Sequence, residues 1–413
     1  MSNNKILINI GDLITLSPLA KEQRFTNITR DDLGRSRQCW LAMADGKIEA
    51  TGPMPPPPQY NAYETIDAQN GLVMPGLIDC HTHPTYGGKR SDEFVRRLEG
   101  ATYQQIGSEG GGIKKTVKMT QISSEDELYQ DTCHRLKRFL RHGVTTVECK
   151  SGYGLTVEDE LKMLRVLKKA DHDLPMTIKS TCLALHAIPA DQEKDPFIQD
   201  MTHKLLPIVA EEKLATWVDA FVEEGYFGTD DVTPFFKKAQ ELGLGIRIHA
   251  DEFTDLSGGL LAAEWGAASA DHLEYTNEAS IQAMAKSGVV AVLLPGTSIY
   301  TAIPYTKAAP FIKHGCPVAL ATDFNPGSCQ FENLAFIATL GAIHCGLTLE
   351  QTIAAVTLVP AKSLGLERSK GALEQGFDAD ICIYDYQTIE DWIAFAGQKG
   401  PKAVYIAGEL VAE

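Results

Sequence analysis

Apolar residues recur through the middle of the chain in eight short runs, at 77–83, 144–150, 176–186, 217–223, 244–249, 268–273, 289–294 and 317–323. Nearly continuous runs of Val, Ile, Leu and Ala are how strands buried on both faces of a parallel sheet read. The segments between them carry helix signals. Ser123-Ser124-Glu125-Asp126 opens a helix expected over 123–141, and Thr156-Val157-Glu158-Asp159-Glu160 opens one expected over 156–169. Parallel neighbours need crossover connections, so this alternation predicts eight βα units, and about 250 residues is the usual size of a closed (β/α)8 barrel of the TIM type. A doubly wound open sheet would alternate in the same way, but the polar residues favour the barrel. His81, His83, His186, Glu223, His249, His272 and Asp323 all fall near the C-terminal ends of their runs. That rim is where a barrel assembles a site from several strands at once.

The flanks have a different rhythm. Ile6, Ile8 and Ile10 alternate, residues 40–44 lead into the turn Asp45-Gly46 and then 47–50, and 378–385 and 403–406 repeat the pattern near the other end. We expect a small β-sandwich built from residues 1–75 plus 360–413, with the catalytic barrel at 76–359 between them. The proline-rich stretch 53–58 is expected as a polyproline II surface loop.

Composition narrows the function classes. With 44% hydrophobic and 22% charged residues the chain is globular. Its 38 basic against 54 acidic residues give a formal charge of −16, which argues against nucleic acid, because binding a polyanion relies on clustered Lys and Arg. No apolar run approaches the roughly 18–20 residues of a membrane span, and the N-terminal segment lacks the pattern of a signal peptide, so a cytoplasmic location away from membranes is expected. Nine cysteines without a CxxC pair point to a reducing compartment.

The strongest chemical signal is Asp79-Cys80-His81-Thr82-His83. With a strand period of two, His81 and His83 point to one side, and in a barrel that side is the interior. His249 ends the fifth run and Asp323 the eighth, so their side chains can converge on the same mouth. Three imidazoles and one carboxylate suit a divalent ion, zinc first and iron as the alternative. His134, His142, His172, His203, His314 and His344 lie in helical segments or loops and are expected to be structural or exposed.

At this point the chain resembles the amidohydrolase superfamily, whose pattern is HxH on strand one, His on strands five and six, and Asp on strand eight; here these are His81 and His83, His249, His272 and Asp323. Binuclear members add a carboxylated Lys on strand four. The fourth run contains none, and Lys150 ends the second, so one metal per chain is expected. Within the superfamily the chain resembles the imidazolonepropionase family. The stretches that carry this resemblance include Glu148-Cys149-Lys150-Ser151-Gly152-Tyr153-Gly154, His249-Ala250-Asp251-Glu252-Phe253 and Asp323-Phe324-Asn325-Pro326-Gly327-Ser328. The resemblance implies hydrolysis of 4-imidazolone-5-propanoate to N-formimidoyl-L-glutamate, a small substrate bearing a carboxylate, and a homodimer. It assigns Arg90 to the substrate carboxylate and further substrate contacts to Tyr153, His186, Asn325, Gly327 and Ser328.

Water attack on a cyclic amide needs an ionised nucleophile, stabilisation of the oxyanion and a proton for the departing nitrogen. Glu252, His272 and Asp323 are the candidates for that proton traffic. Each has a plainer reading: Glu252 as a solvated loop acid, His272 as a core histidine bonded to Asp271 or Glu274, Ser328 as the cap of a helix beginning near Gln330. Gly110-Gly111-Gly112 follows no strand and precedes no Gly-Lys-Ser/Thr, so it is no phosphate cradle; a mobile lid over the barrel mouth is the expectation. Two other functions fit the same pattern, a mononuclear aminohydrolase of purines or pyrimidines and a non-catalytic scaffold with this fold.

Overall fold

The computed structural model describes residues 4–100, 105, 110–189 and 191–413. Eight strands follow one another in a single parallel sheet: Leu77–Asp79, Val144–Lys150, Thr177–Leu185, Trp217–Val222, Gly245–Ala250, Ser269–His272, Val290–Leu293 and Val318–Leu320. We call these barrel strands one to eight. The ring closes through a parallel bridge between Thr82 and Phe324, where Asp323 N donates to His81 O at 3.1 Å and His83 N to Phe324 O at 2.8 Å. The expected (β/α)8 barrel is therefore the observed fold. Strands one and eight are shorter than the apolar runs that predict them, because the residues beyond Asp79 and Leu320 leave the regular ladder to carry the site.

The helices follow their start signals. Glu125–Arg141 is capped by Ser124, whose hydroxyl accepts from Glu127 N, while Ser124 N donates to the Glu127 carboxylate. Val157–Asp173 runs past the expected end at 169 because Leu161, Leu164, Leu167 and Ala170 continue one buried face.

Two further sheets are built from the flanks, the first from N-terminal strands alone and the second from strands of both ends of the chain. One orders Lys47–Pro53, Cys39–Ala44, Lys5–Ile10 and Glu64–Asp67; the other orders Glu409–Ala412, Ala403–Ile406, Ile381–Tyr384, Leu72–Pro75 and Asp12–Leu13. Leu72–Pro75 runs antiparallel to Ile381–Tyr384, from Leu72 opposite Tyr384 to Pro75 opposite Ile381. Leu7, Leu41, Met43, Val73, Ile381 and Ile383 share the apolar core between these sheets. Arg35 adds a polar clamp, with Nε and Nη2 each 2.7 Å from the buried Asp12 carboxylate and Nη1 2.7 Å from Glu390. The 53–58 stretch is not one extended loop. Pro53 ends an edge strand, which tolerates proline, and Pro58 starts a short turn that buries Tyr60 against Trp40 at 4.9 Å between rings. All nine cysteines are unpaired and buried. Among the described residues no helix is long and apolar enough to cross a membrane.

Candidate active site and metal centre

The strand ends bring His81, His83, His249 and Asp323 together. His81 Nε2 and His83 Nε2 lie 3.3 Å apart, and each is 3.4 Å from Asp323 Oδ1. Ligand atoms on a tetrahedral ion with bonds of about 2.0–2.1 Å stand about 3.3–3.4 Å from one another, so this triangle is one face of such a site. His249 offers a ring nitrogen within 4.8 Å of those of His81 and His83, and its buried Nε2 has no protein partner. Four buried nitrogen and oxygen donors in this arrangement fit a divalent cation. His272 forms a second grouping with His81 and Asp323, their ligand atoms also within 4.8 Å of one another.

The reason these side chains can meet lies in the local backbone. Thr82, between the two histidines, turns outward and its hydroxyl donates to Glu148 O at 2.6 Å, which leaves His81 and His83 facing the barrel interior. Asp251, His272 and Asp323 have φ of 54°, 77° and 51°, a left-handed conformation that costs a non-glycine residue about 1 kcal/mol or more and clusters at functional sites. Glu223 pins the loop after strand five by accepting from Phe253 N at 2.9 Å and from the Thr254 hydroxyl, and so fixes the adjacent Glu252.

One cavity at the mouth is lined by His83, His249, Glu252, His272 and Asp323 together with Arg90, Tyr153, His186, Asn325 and Ser328. Gly327 does not line it. A Cβ there would stand 2.2 Å from Arg90 Nη1, so this glycine makes room for the guanidinium. Arg90 is 7% exposed, and its Nε donates to Glu93 at 2.8 Å while the other Glu93 oxygen accepts from Gly112 N at 3.1 Å. The glycine segment 110–112 is thereby tied to the arginine, and Ile113 just beyond it lines the cavity. Asn325 Oδ1 accepts from Gly327 N and Ser328 N at 2.8 and 2.7 Å, and its amide donates to the Ser328 hydroxyl. Ser328 caps no helix: the next one is Leu334–Leu340, capped by Asn333. A wider chamber of about 1170 Å³ adjoins the cavity and shares Ile113, His186, Phe221, Glu252 and Ser328 with it.

Burial sets the charges of the polar groups. It raises Glu252 well above the carboxylate range, reinforced by the Glu274, Asp323 and Glu223 carboxylates. It lowers His272 to about 4 and His186 to about 3. Burial also opposes ionisation of Asp323, but hydrogen bonding to His81 and His83 overcomes it and holds this carboxyl well below its usual range. Burial thus favours the protonated form of Glu252 and the neutral form of His272, while hydrogen bonding favours the ionised form of Asp323. Two carboxyls with opposed environments are what acid and base roles require.

Of two further partners of the site, Asp219 was not singled out from sequence and Asp271 was expected beside His272, not beside His81. Asp271 Oδ2 is 2.6 Å from His81 Nδ1, whereas His272 Nδ1 faces Glu252 and Glu274 at 3.8 Å each. Asp219 Oδ2 is 3.0 Å from His249 Nδ1. The available signal was a lone acid at an inward position of an otherwise apolar run, Val218-Asp219-Ala220 and Ala270-Asp271.

A parallel eight-stranded barrel with an HxH pair, a strand-five histidine and a strand-eight aspartate at its mouth defines an amidohydrolase, and residues 94–412 match the model of the Amidohydrolase family. Solved structures agree on the fold. A 5-methylcytosine deaminase from Klebsiella pneumoniae superposes with TM-score 0.75 at 18% identity, covering 99% of this chain and 98% of that one. An adenosine deaminase from Xanthomonas campestris with bound zinc gives TM-score 0.74 at 17% identity, covering 98% and 92%. Sequence relatives are more specific. The chain is 43% identical to imidazolonepropionase of Acinetobacter baumannii (strain AB0057) over 84% of its own length and 88% of that protein. It is 40% identical to imidazolonepropionase of Fusobacterium nucleatum over 100% and 99%. The chain belongs to the imidazolonepropionase family.

Proposed function

We propose that this chain hydrolyses 4-imidazolone-5-propanoate to N-formimidoyl-L-glutamate, with one divalent metal, zinc first and iron as the alternative, held by His81, His83, His249 and Asp323. The observation that carries the reading is that a buried guanidinium, Arg90, lines the same small cavity as the metal-type donor set. A small ring whose side chain ends in a carboxylate matches that pairing. When bound, the ion supplies Lewis acidity and lowers the pKa of water toward about 7.

The residues divide the remaining work. Asp323, held ionised, accepts the proton of the attacking water. Glu252, whose protonated form burial favours, donates to the ring nitrogen that departs as the C–N bond breaks. His272, neutral and beside Glu252, donates a hydrogen bond to the developing oxyanion. Arg90, its Nε fixed by Glu93, holds the propionate with its guanidinium, a use of the planar fork that a lysine could not reproduce. Tyr153, His186, Asn325 and Ser328 close around the ring.

The test is to incubate the metallated protein with 4-imidazolone-5-propanoate, follow loss of the ring chromophore and identify the product. N-formimidoyl-L-glutamate without ammonia is expected. Ammonia release from a purine or pyrimidine, with no turnover of the imidazolone, would assign the chain to the aminohydrolases instead.

A further inference from the structure

Behind the ligands, away from the cavity, the barrel interior holds charged side chains that the reaction above does not use. Lys150, the last residue of strand two, is fully buried. Its Nζ lies 2.9 Å from Glu148 Oε1, 2.8 Å from Asp219 Oδ2 and 3.6 Å from Asp271 Oδ2. The same two aspartate oxygens are the ones that face the metal-site histidines: Asp271 Oδ2 stands 2.6 Å from His81 Nδ1, and Asp219 Oδ2 stands 3.0 Å from His249 Nδ1. Asp219 reaches strand five a second time, accepting from His249 N at 3.2 Å through Oδ1. Arg247 flanks the group, 3.8 Å from both Glu148 and Asp271, and is fastened by its own bonds to Cys80 O and Ser363 O at 2.8 and 3.1 Å.

Three carboxylates and two cations, all fully buried, are a costly way to fill a core, since apolar side chains of similar volume are often as stabilising or more so. Burial works against the charge on Lys150, but Asp219 and Glu148 outweigh it and keep the amine protonated. A lysine held in that form is neither a nucleophile nor a carrier of a carboxylate bridge. Its geometry instead matches the rule that a ligating imidazole is oriented by a carboxylate on its other nitrogen.

We propose that Lys150 is a positioning residue of the metal centre: its ammonium fixes Asp219 and Asp271, which in turn aim His249 and His81 at a single ion. This rests on reading His81, His83, His249 and Asp323 as the ligands. Lys150 links strand two to strands four and six, so one side chain sets the orientation of ligands that come from strands one and five.

The experiment uses the full chain, stripped of metal with a chelator and titrated with Co²⁺, reading affinity and the visible ligand-field spectrum. Lys150→Met should weaken Co²⁺ binding by roughly 10–100-fold and alter the spectrum. The double variant Lys150→Met/Glu148→Gln, which removes a cation and an anion together, should show the same change and carries the measurement where the single variant yields too little folded protein. Asp219→Asn should weaken binding in the wild-type background and add distinctly less in the Lys150→Met background, because both act through one contact. Wild-type affinity and spectrum in the double variant, or full additivity with Asp219→Asn, would overturn the proposal. Failure of the wild-type chain to take up Co²⁺ would overturn the ligand reading itself, a separate result.

Discussion

Glu252 and Arg90 can be tested separately because one handles protons and the other recognition. Glu252→Gln is expected to keep full metal content and lose about 10²–10⁴-fold in kcat, the usual contribution of a positioned acid or base; elemental analysis beside steady-state kinetics checks it. Arg90→Ala should lower kcat/KM by about 10–150-fold, since a hydrogen bond to a charged group is worth about 1.5–3 kcal/mol and about 1.4 kcal/mol is tenfold. It also strands the buried Glu93, so activity alone is not decisive. A substrate analogue lacking the carboxylate should be poor for the wild type and scarcely worse for the variant; equal losses on both substrates would make Arg90 a support of the loop. His81, His83, His249 and Asp323 were legible in the sequence because strand periodicity fixes which residues share a side and run ends fix their height. Asp219, the contact of Asp271 with His81 and the space-making role of Gly327 were not. Each depends on a distance between segments far apart in the chain, which periodicity does not contain.

For the elements, the buried strands announced themselves as apolar runs, and the start of helix Glu125–Arg141 was readable from its cap. Ser124→Ala should cost about 0.5–2 kcal/mol of stability, measured by urea unfolding, and leave kcat unchanged, because Ser124 does not line the cavity. The ends of the functional strands were harder to place. Residues 80–83 and 321–323 read as continuations of their runs, yet only one bridge pairs them, since their side chains and carbonyls are committed to the site. A helix expected near Gln330 starts instead at Leu334, because the Asn325 side chain already organises the turn before it and Asn333 supplies the cap.

Taken as a whole molecule, the protein should hold one divalent metal per chain, as the two donor groupings found at the mouth among the described residues share His81 and so surround one centre. Elemental analysis returning two tightly held ions per active chain would contradict this. Metal that binds only the folded state stabilises it by mass action, so stripping with a chelator should lower Tm and re-addition restore it, an effect readable by calorimetry. The barrel class was legible because eight runs with polar ends have few other solutions. The pairing of Leu72–Pro75 with Ile381–Tyr384 was only coarsely foreseeable, since alternation shows that a strand has one buried face and not which partner lies beside it.

That pairing also sets an order of events during synthesis. Leu72–Pro75 leaves the ribosome about 300 residues before its partner strand, a delay of roughly 15–60 s at about 5–20 residues per second. Throughout that interval Leu72, Val73 and Met74, all buried in the finished protein, lack the strand that covers one edge of theirs. Barrel strand one, which begins just after them at Leu77, meets its ladder partner Val144–Lys150 much sooner. The sheet that holds Leu72–Pro75 therefore cannot be completed from the leading end of the nascent chain and closes only when Ile381–Tyr384 has been made.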